Sequence, residues 1–97
     1  MIIIPNQKAY ERYWAVNRYY LAQAESVTGQ QKQGYLRKAA IARIIAERKL
    51  HGANGLDLEF ISNRFDISLL QVTADVEEIE RKVIEPDLVA RVRASLK

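Results

Sequence analysis

The side chains in this chain that could do covalent chemistry are few. His51 is the one histidine and cysteine is absent, which removes thiolate nucleophiles, thiolate metal sites and any disulfide framework. A nucleophile would have to be a serine or threonine, and no glycine-rich elbow surrounds Ser26, Ser62, Ser68 or Ser95. His51 stands beside Gly52 and reads as a helix C-terminal cap or a solvated loop residue. Glu77, Glu78 and Glu80 read as the solvated face of a late helix. With no phosphate-cradling glycine loop and no metal-ligand spacing, the expectation is a non-enzyme that uses neither cofactor nor metal.

Binding chemistry is better represented. The formal net charge is only +3, but it is unevenly spread. Residues 1–50 hold nine Lys and Arg against three acids, and the remainder holds six against nine. A basic front half beside an acidic back half fits a nucleic-acid footprint, or a polar interface with an acidic protein; it also fits two differently solvated faces. The opening "MIII" lacks a basic flank and stops at Pro5, which is not the pattern of a signal peptide. No run approaches the roughly 20 apolar residues of a membrane span. A cytoplasmic protein without membrane contact is expected.

The elements that must position these groups are helical. At 97 residues the chain fits one domain. From about Asn6 to Ser26 there is neither Gly nor Pro, and Tyr13, Val16, Tyr20, Ala24 and Val27 recur at helical spacing. This segment carries Tyr10, Tyr13, Trp14, Tyr19 and Tyr20, too many aromatics around its circumference for one core stripe, so at least one flank is expected to be exposed or to meet a partner. Asn17 lies among them, either as a buried polar group that fixes a dimer register or as an exposed one. Gly29 and Gly34 are read as bracketing a short polar loop.

A basic amphipathic helix is expected next, with Leu36, Ala40, Ile41, Ile44, Ile45 and Leu50 on its apolar side and Arg37, Lys38, Arg43, Arg48 and Lys49 outside it. "HGANG" ends it. Asp57 is the expected cap of a short helix to about Phe65, followed by a tight turn at Asp66 and Ile67. Ser68 then caps a helix to about Val83, and Pro86 starts a short C-terminal helix over 86–97. The fold class expected is all-α, with about five helices.

Leu58, Ile61, Phe65, Ile67, Val72, Val76 and Ile79 fall at the inward offsets of two helices crossing steeply over a short turn. Ser62 supplies a small residue at the close approach, and Asp66 tolerates the positive φ such a turn needs. Together with Ser68 and Asp75, these residues resemble the helix-turn-helix superfamily of bacterial and phage regulators over about residues 34–83, with the basic helix as the first of a three-helix core.

That resemblance implies a DNA-binding transcription regulator, cytoplasmic and dimeric. Ser68, Leu69, Leu70, Gln71 and Thr73 would face the bases, and Arg37, Lys38, Arg43, Arg48, Lys49 and Arg64 the phosphates. The aromatics of the first helix, Tyr10, Tyr13, Trp14, Tyr19 and Tyr20, are the candidate dimer contact. Stacking of unpaired bases on Tyr and Trp beside Arg12 and Arg18 is a variant.

The second reading is a protein-interaction module (inhibitor, adaptor or assembly subunit) anchored by Leu69 and Leu70. In its favour, "SLLQVTAD" holds no Lys or Arg, and Asp75, Glu77, Glu78 and Glu80 oppose approach to phosphates. Leu69 and Leu70 discriminate between the two. Partner contact expects them exposed, and the regulator expects the first helix to bury one.

Overall fold

A computed structural model describes residues 7–52 and 56–84 of the chain. Among these residues the fold is all-α, with four helices and no strand: α1 (Gln7–Glu25), α2 (Gly29–Leu50), α3 (Leu58–Phe65) and α4 (Leu69–Val83). The expected C-terminal helix over 86–97 lies outside the described residues.

The largest interface joins α1 to α2. On α1 the buried positions are Tyr13, Ala15, Val16, Asn17, Tyr20 and Ala24, the helical spacing expected. Asn17 is buried inside this hairpin, where its Nδ2 donates to the backbone oxygen of Ala39 at 2.7 Å. A buried amide is costly unless hydrogen-bonded, and this bond fixes the register of α1 against α2 within one chain.

Two expectations for α2 are corrected. The segment between Gly29 and Gly34 is helix, not loop, and the connection from α1 shrinks to residues 26–28. Gln30, Gln31, Lys32 and Gln33 are good helix formers, and a single interior glycine costs only about 1 kcal/mol. Gly29, with φ 63°, supplies the backbone turn into the helix. The buried face also differs, being Ala39, Ile41, Ala42, Ile45 and Ala46. Leu36 is exposed, while Ala40, Ile44 and Leu50 are half-buried. The alanines allow α1 close enough for Tyr13 and Tyr20 to fill the space above α2, which a row of leucines and isoleucines on that side would prevent.

The α3 to α4 segment follows its local signals closely. Asp57 caps α3 by accepting from the Phe60 backbone N–H at 3.0 Å, and Ser68 caps α4 by accepting from that of Gln71 at 3.1 Å. Between them Asp66 is left-handed at φ 54°, ψ 51°. The Ser62 hydroxyl donates to the Ile67 backbone oxygen, and the Ile67 N–H returns a bond to the Ser62 carbonyl at 3.1 Å. Ile61, Val72 and Ile79 are fully buried, and Leu58, Phe65, Ile67 and Val76 pack around them. α4 lies across both α1 and α2 and also packs on α3.

Gly34 tests the extended α2. A Cβ added there meets nothing within 4 Å. Gly34→Ala should therefore stabilise the protein by about 0.5–1 kcal/mol, the gain for removing glycine from a helix interior. In a thermal melt this is an upward shift of several degrees; an unchanged or lower midpoint contradicts helix at this position.

Candidate nucleic-acid interface

α4 has two chemically different sides. Its inward side takes Asp75 and Glu78. Asp75, 1% exposed, accepts from Arg37 Nε at 2.7 Å and from a terminal Arg37 nitrogen at 3.2 Å. Gln71 Nε2 adds a third donor at 2.9 Å. Glu78 accepts from the Tyr20 hydroxyl at 2.6 Å and pairs with Lys38 Nζ at 2.9 Å. Glu80 accepts from the Tyr13 hydroxyl at 2.7 Å. The expectation of a solvated acidic run is corrected: of that run only Glu77 and Glu80 are exposed, and Glu80 is tied to α1. A period of 3.6 residues carries Asp75, Val76 and Ile79 to the inward face together, so these carboxylates are attached to the core.

Titration behaviour follows from that placement. Burial, reinforced by the hydrogen bond to a carboxylate and its charge, pushes both the Tyr13 and Tyr20 hydroxyls well above the ordinary tyrosine range. For Glu78 burial acts upward, but the Tyr20 and Lys38 bonds and the charges of Lys38 and Lys82 outweigh it and leave the carboxyl below its ordinary value.

The outward side of α4 holds the expected base-reading set. Ser68, Leu69, Leu70 and Gln71 are exposed and Thr73 is half-buried. Their polar groups are partly committed: the Ser68 hydroxyl to its cap, the Gln71 amide to Asp75, and the Thr73 hydroxyl to the Leu69 carbonyl at 2.9 Å. Leu69 is 47% and Leu70 82% exposed. α1 therefore covers neither leucine; it meets α4 farther along, at Glu78 and Glu80. On this feature the structure has the exposure that partner contact expects.

The six basic candidates separate into two sets. Arg37 and Lys38, expected outside the core, are instead held in ion pairs with Asp75 and Glu78. Lys38 also lies over the Tyr20 and Tyr35 rings at 5.9 and 5.8 Å. The other set is Arg43, Arg48 and Lys49 of α2 and Arg64 of α3. Arg43, Arg48 and Arg64 line an open cleft of about 820 Å³ between α2 and α3, floored by Ile44, Ile61 and Phe65. Arg64 rests over the Phe65 ring at 5.6 Å. Lys49 is half-buried near the end of α2, and His51 is the exposed C-cap residue of that helix.

The aromatics of α1 also divide. Tyr13 and Tyr20 are core residues whose hydroxyls reach α4, so they join helices within the chain. Tyr10, Trp14 and Tyr19 are half-buried. Tyr10 stacks on Trp14 at 6.2 Å, and Lys82 lies over Tyr19 at 5.0 Å. Trp14 carries two guanidinium groups, Arg18 at 5.0 Å and Arg43 at 5.8 Å from its ring centroid. Sequence reasoning set Arg18 beside the aromatics but did not join it to the phosphate set. The i, i+4 spacing of Trp14 and Arg18 was the available signal, whereas the approach of Arg43 from α2 has none.

No protein-family model, curated protein or solved structure matches the chain. Among the described residues, no group of three or more His, Asp or Glu is arranged to hold a metal ion, and no helix is long and apolar enough to cross a membrane.

Two outcomes test the inward network. Asp75→Ala leaves Arg37 and Gln71 without their acceptor. It should cost about 3 kcal/mol, the lower end for breaking a buried pair because Arg37 still reaches water. Adding Arg37→Met should recover part of that loss in a denaturation cycle, and strict additivity contradicts the pairing.

The second outcome is a pH profile. The lowered Glu78 contributes stability that is complete above the ordinary carboxylate range and is lost as pH falls through its folded value. The raised tyrosines contribute stability that is complete below about pH 10 and is lost as pH rises beyond it. The melting temperature should be flat between about pH 6 and 9 and fall on both sides. Tyr20→Phe should flatten the alkaline limb; an unchanged limb contradicts a buried, hydrogen-bonded hydroxyl.

Proposed function

We propose that the chain is a small duplex-DNA-binding protein of helix-turn-helix type, a transcription regulator, with α3 and α4 as the paired helices and the start of α4 in the major groove. One observation carries this reading. Asp75 and Glu78 are turned inward and matched by Arg37 and Lys38, so two of the four acids of α4 do not oppose approach of its outer face to phosphate, while Glu77 and Glu80 stay exposed. That outer face opens with Ser68, Leu69 and Leu70 directly after a left-handed turn at Asp66, and the N-terminal part of such a helix is the part that reaches base edges. Gln71 keeps its side-chain oxygen and a second amide hydrogen for a base, and the leucines offer apolar contact to a thymine methyl. Arg43, Arg48, Lys49 and Arg64 are the phosphate set on this reading. Contacts from one α4 are few, so a strong sequence preference requires two copies on two half-sites.

A second reading is favoured by the exposure of Leu70. At 82% and beside Leu69 at 47%, it is the kind of apolar pair that anchors a protein partner. The two readings separate in one experiment. Fluorescence anisotropy with the chain's own upstream DNA and a scrambled duplex, over a range of salt, should show salt-sensitive binding that prefers the upstream sequence. Gln71→Ala with Thr73→Ala should abolish most of that preference and leave nonspecific affinity nearly intact. No binding to either duplex at low salt overturns the DNA reading and moves Leu69 and Leu70 to a protein partner.

A further inference from the structure

Arg18 and Arg43 approach the same indole from different helices, Arg18 from α1 and Arg43 from α2. Neither is held by a strong carboxylate partner. Arg18 is exposed, and among the described residues it makes no ion pair. Among the described residues Arg43 pairs with Glu47, through Nε at 3.2 Å, in an i, i+4 contact whose side chains are 60% and 54% exposed. An exposed pair of this kind contributes little. Tyr10 stacks on Trp14 with 18° between the ring planes, which leaves the indole poorly placed to take a nucleic-acid base and well placed to hold guanidinium groups. Two like charges gathered on one ring repel each other, and an anion bound between them reverses that cost.

We propose that Arg18 and Arg43, seated on Trp14, form a phosphate clamp for the DNA backbone. Guanidinium groups stacked on an aromatic face are pre-ordered, and each has a planar fork of N–H donors matched to two phosphate oxygens. Stacking settles the side-chain entropy before DNA arrives. Arg43 also lines the α2–α3 cleft together with Arg48 and Arg64. The clamp is thus continuous with a cleft edge where Arg48 and Arg64 stand among Glu47 and Asp57, and which ends at Arg64, two residues before the turn at Asp66. A duplex backbone laid along that edge arrives at the end of α3, where the reading helix begins. Arg18 replaces, from α1, the positive charge that Arg37 and Lys38 spend inside the protein.

This inference rests on the DNA-binding reading, and the experiment separates the two. Binding of the full chain to a generic duplex is measured by anisotropy over a salt series, for wild type, Arg18→Ala with Arg43→Ala, and Arg18→Lys with Arg43→Lys. Circular dichroism melts confirm that each variant is folded. Each phosphate contact contributes about 0.9 to the slope of log K against log salt, so the alanine pair should lower it by about 2. At physiological salt its affinity should fall about 10-fold for any sequence, with the ratio between upstream and scrambled duplexes unchanged. The lysine pair keeps the net charge but loses the planar fork, and should show most of the same affinity loss. Wild-type binding with an unchanged slope in the alanine pair overturns the clamp and leaves the function standing. A lysine pair that binds like wild type reduces the site to bulk charge and also overturns it. Absence of wild-type binding to any duplex overturns the function and the clamp together.

Discussion

A carboxylate with 1% of its surface exposed is the constraint around which the described helices are arranged. Asp75 comes from the middle of α4, where a buried carboxylate is costly unless donors surround it. Arg37 of α2 supplies two and Gln71 a third. The pair sets the register of α4 against α2. Once that register is fixed, Lys38, one residue along α2, falls opposite Glu78, one helical step along α4. Tyr20 and Tyr13 of α1 then find Glu78 and Glu80 as acceptors for hydroxyls that burial forces to seek a partner. Among the described residues no buried side-chain nitrogen or oxygen lacks a hydrogen bond. A single polar choice on α4 thus propagates to both helices it crosses.

The same arrangement decides what the surface can offer. A helix with Asp75, Glu77, Glu78 and Glu80 in its sequence presents a much less acidic outer face than its composition suggests, because Asp75 and Glu78 point into the protein. The exchange has a reciprocal cost, since Arg37 and Lys38 are withdrawn from any role toward an external anion. Exposed positive charge is found instead at Arg43 and Arg64, which border the α2–α3 cleft with the half-buried Arg48, and at Arg18, which shares an indole with Arg43.

Local signals were legible wherever a few neighbouring residues settle the outcome. Asp57 and Ser68 as caps, Asp66 at positive φ and the bounds of α3 and α4 follow from side chains acting within three or four positions. The all-α class and the span of α1 follow from periodicity. Legibility failed where a distant partner decides. On α2 Ala39 is buried with Tyr13 and Tyr20 of α1 while Leu36 is exposed, an outcome set by the packing of α1 that no local signal in α2 announces. Gly34 looks like punctuation in isolation, yet a helix with good formers before it absorbs one glycine. Arg37 and Asp75 are 38 positions apart, and nothing at either site announces the other.

The central proposal is that α4 turns Asp75 and Glu78 inward so that its outer face can meet DNA, and a titration of isotope-labelled protein with a short duplex tests it most directly by nuclear magnetic resonance. The account expects the backbone amides of Ser68 to Thr73 to shift on binding, with the Nε resonances of Arg18 and Arg43. The Arg37 Nε resonance should stay in place because Asp75 already holds it. Shifts that spare the start of α4, or an Arg37 resonance that moves with the duplex, would contradict the account.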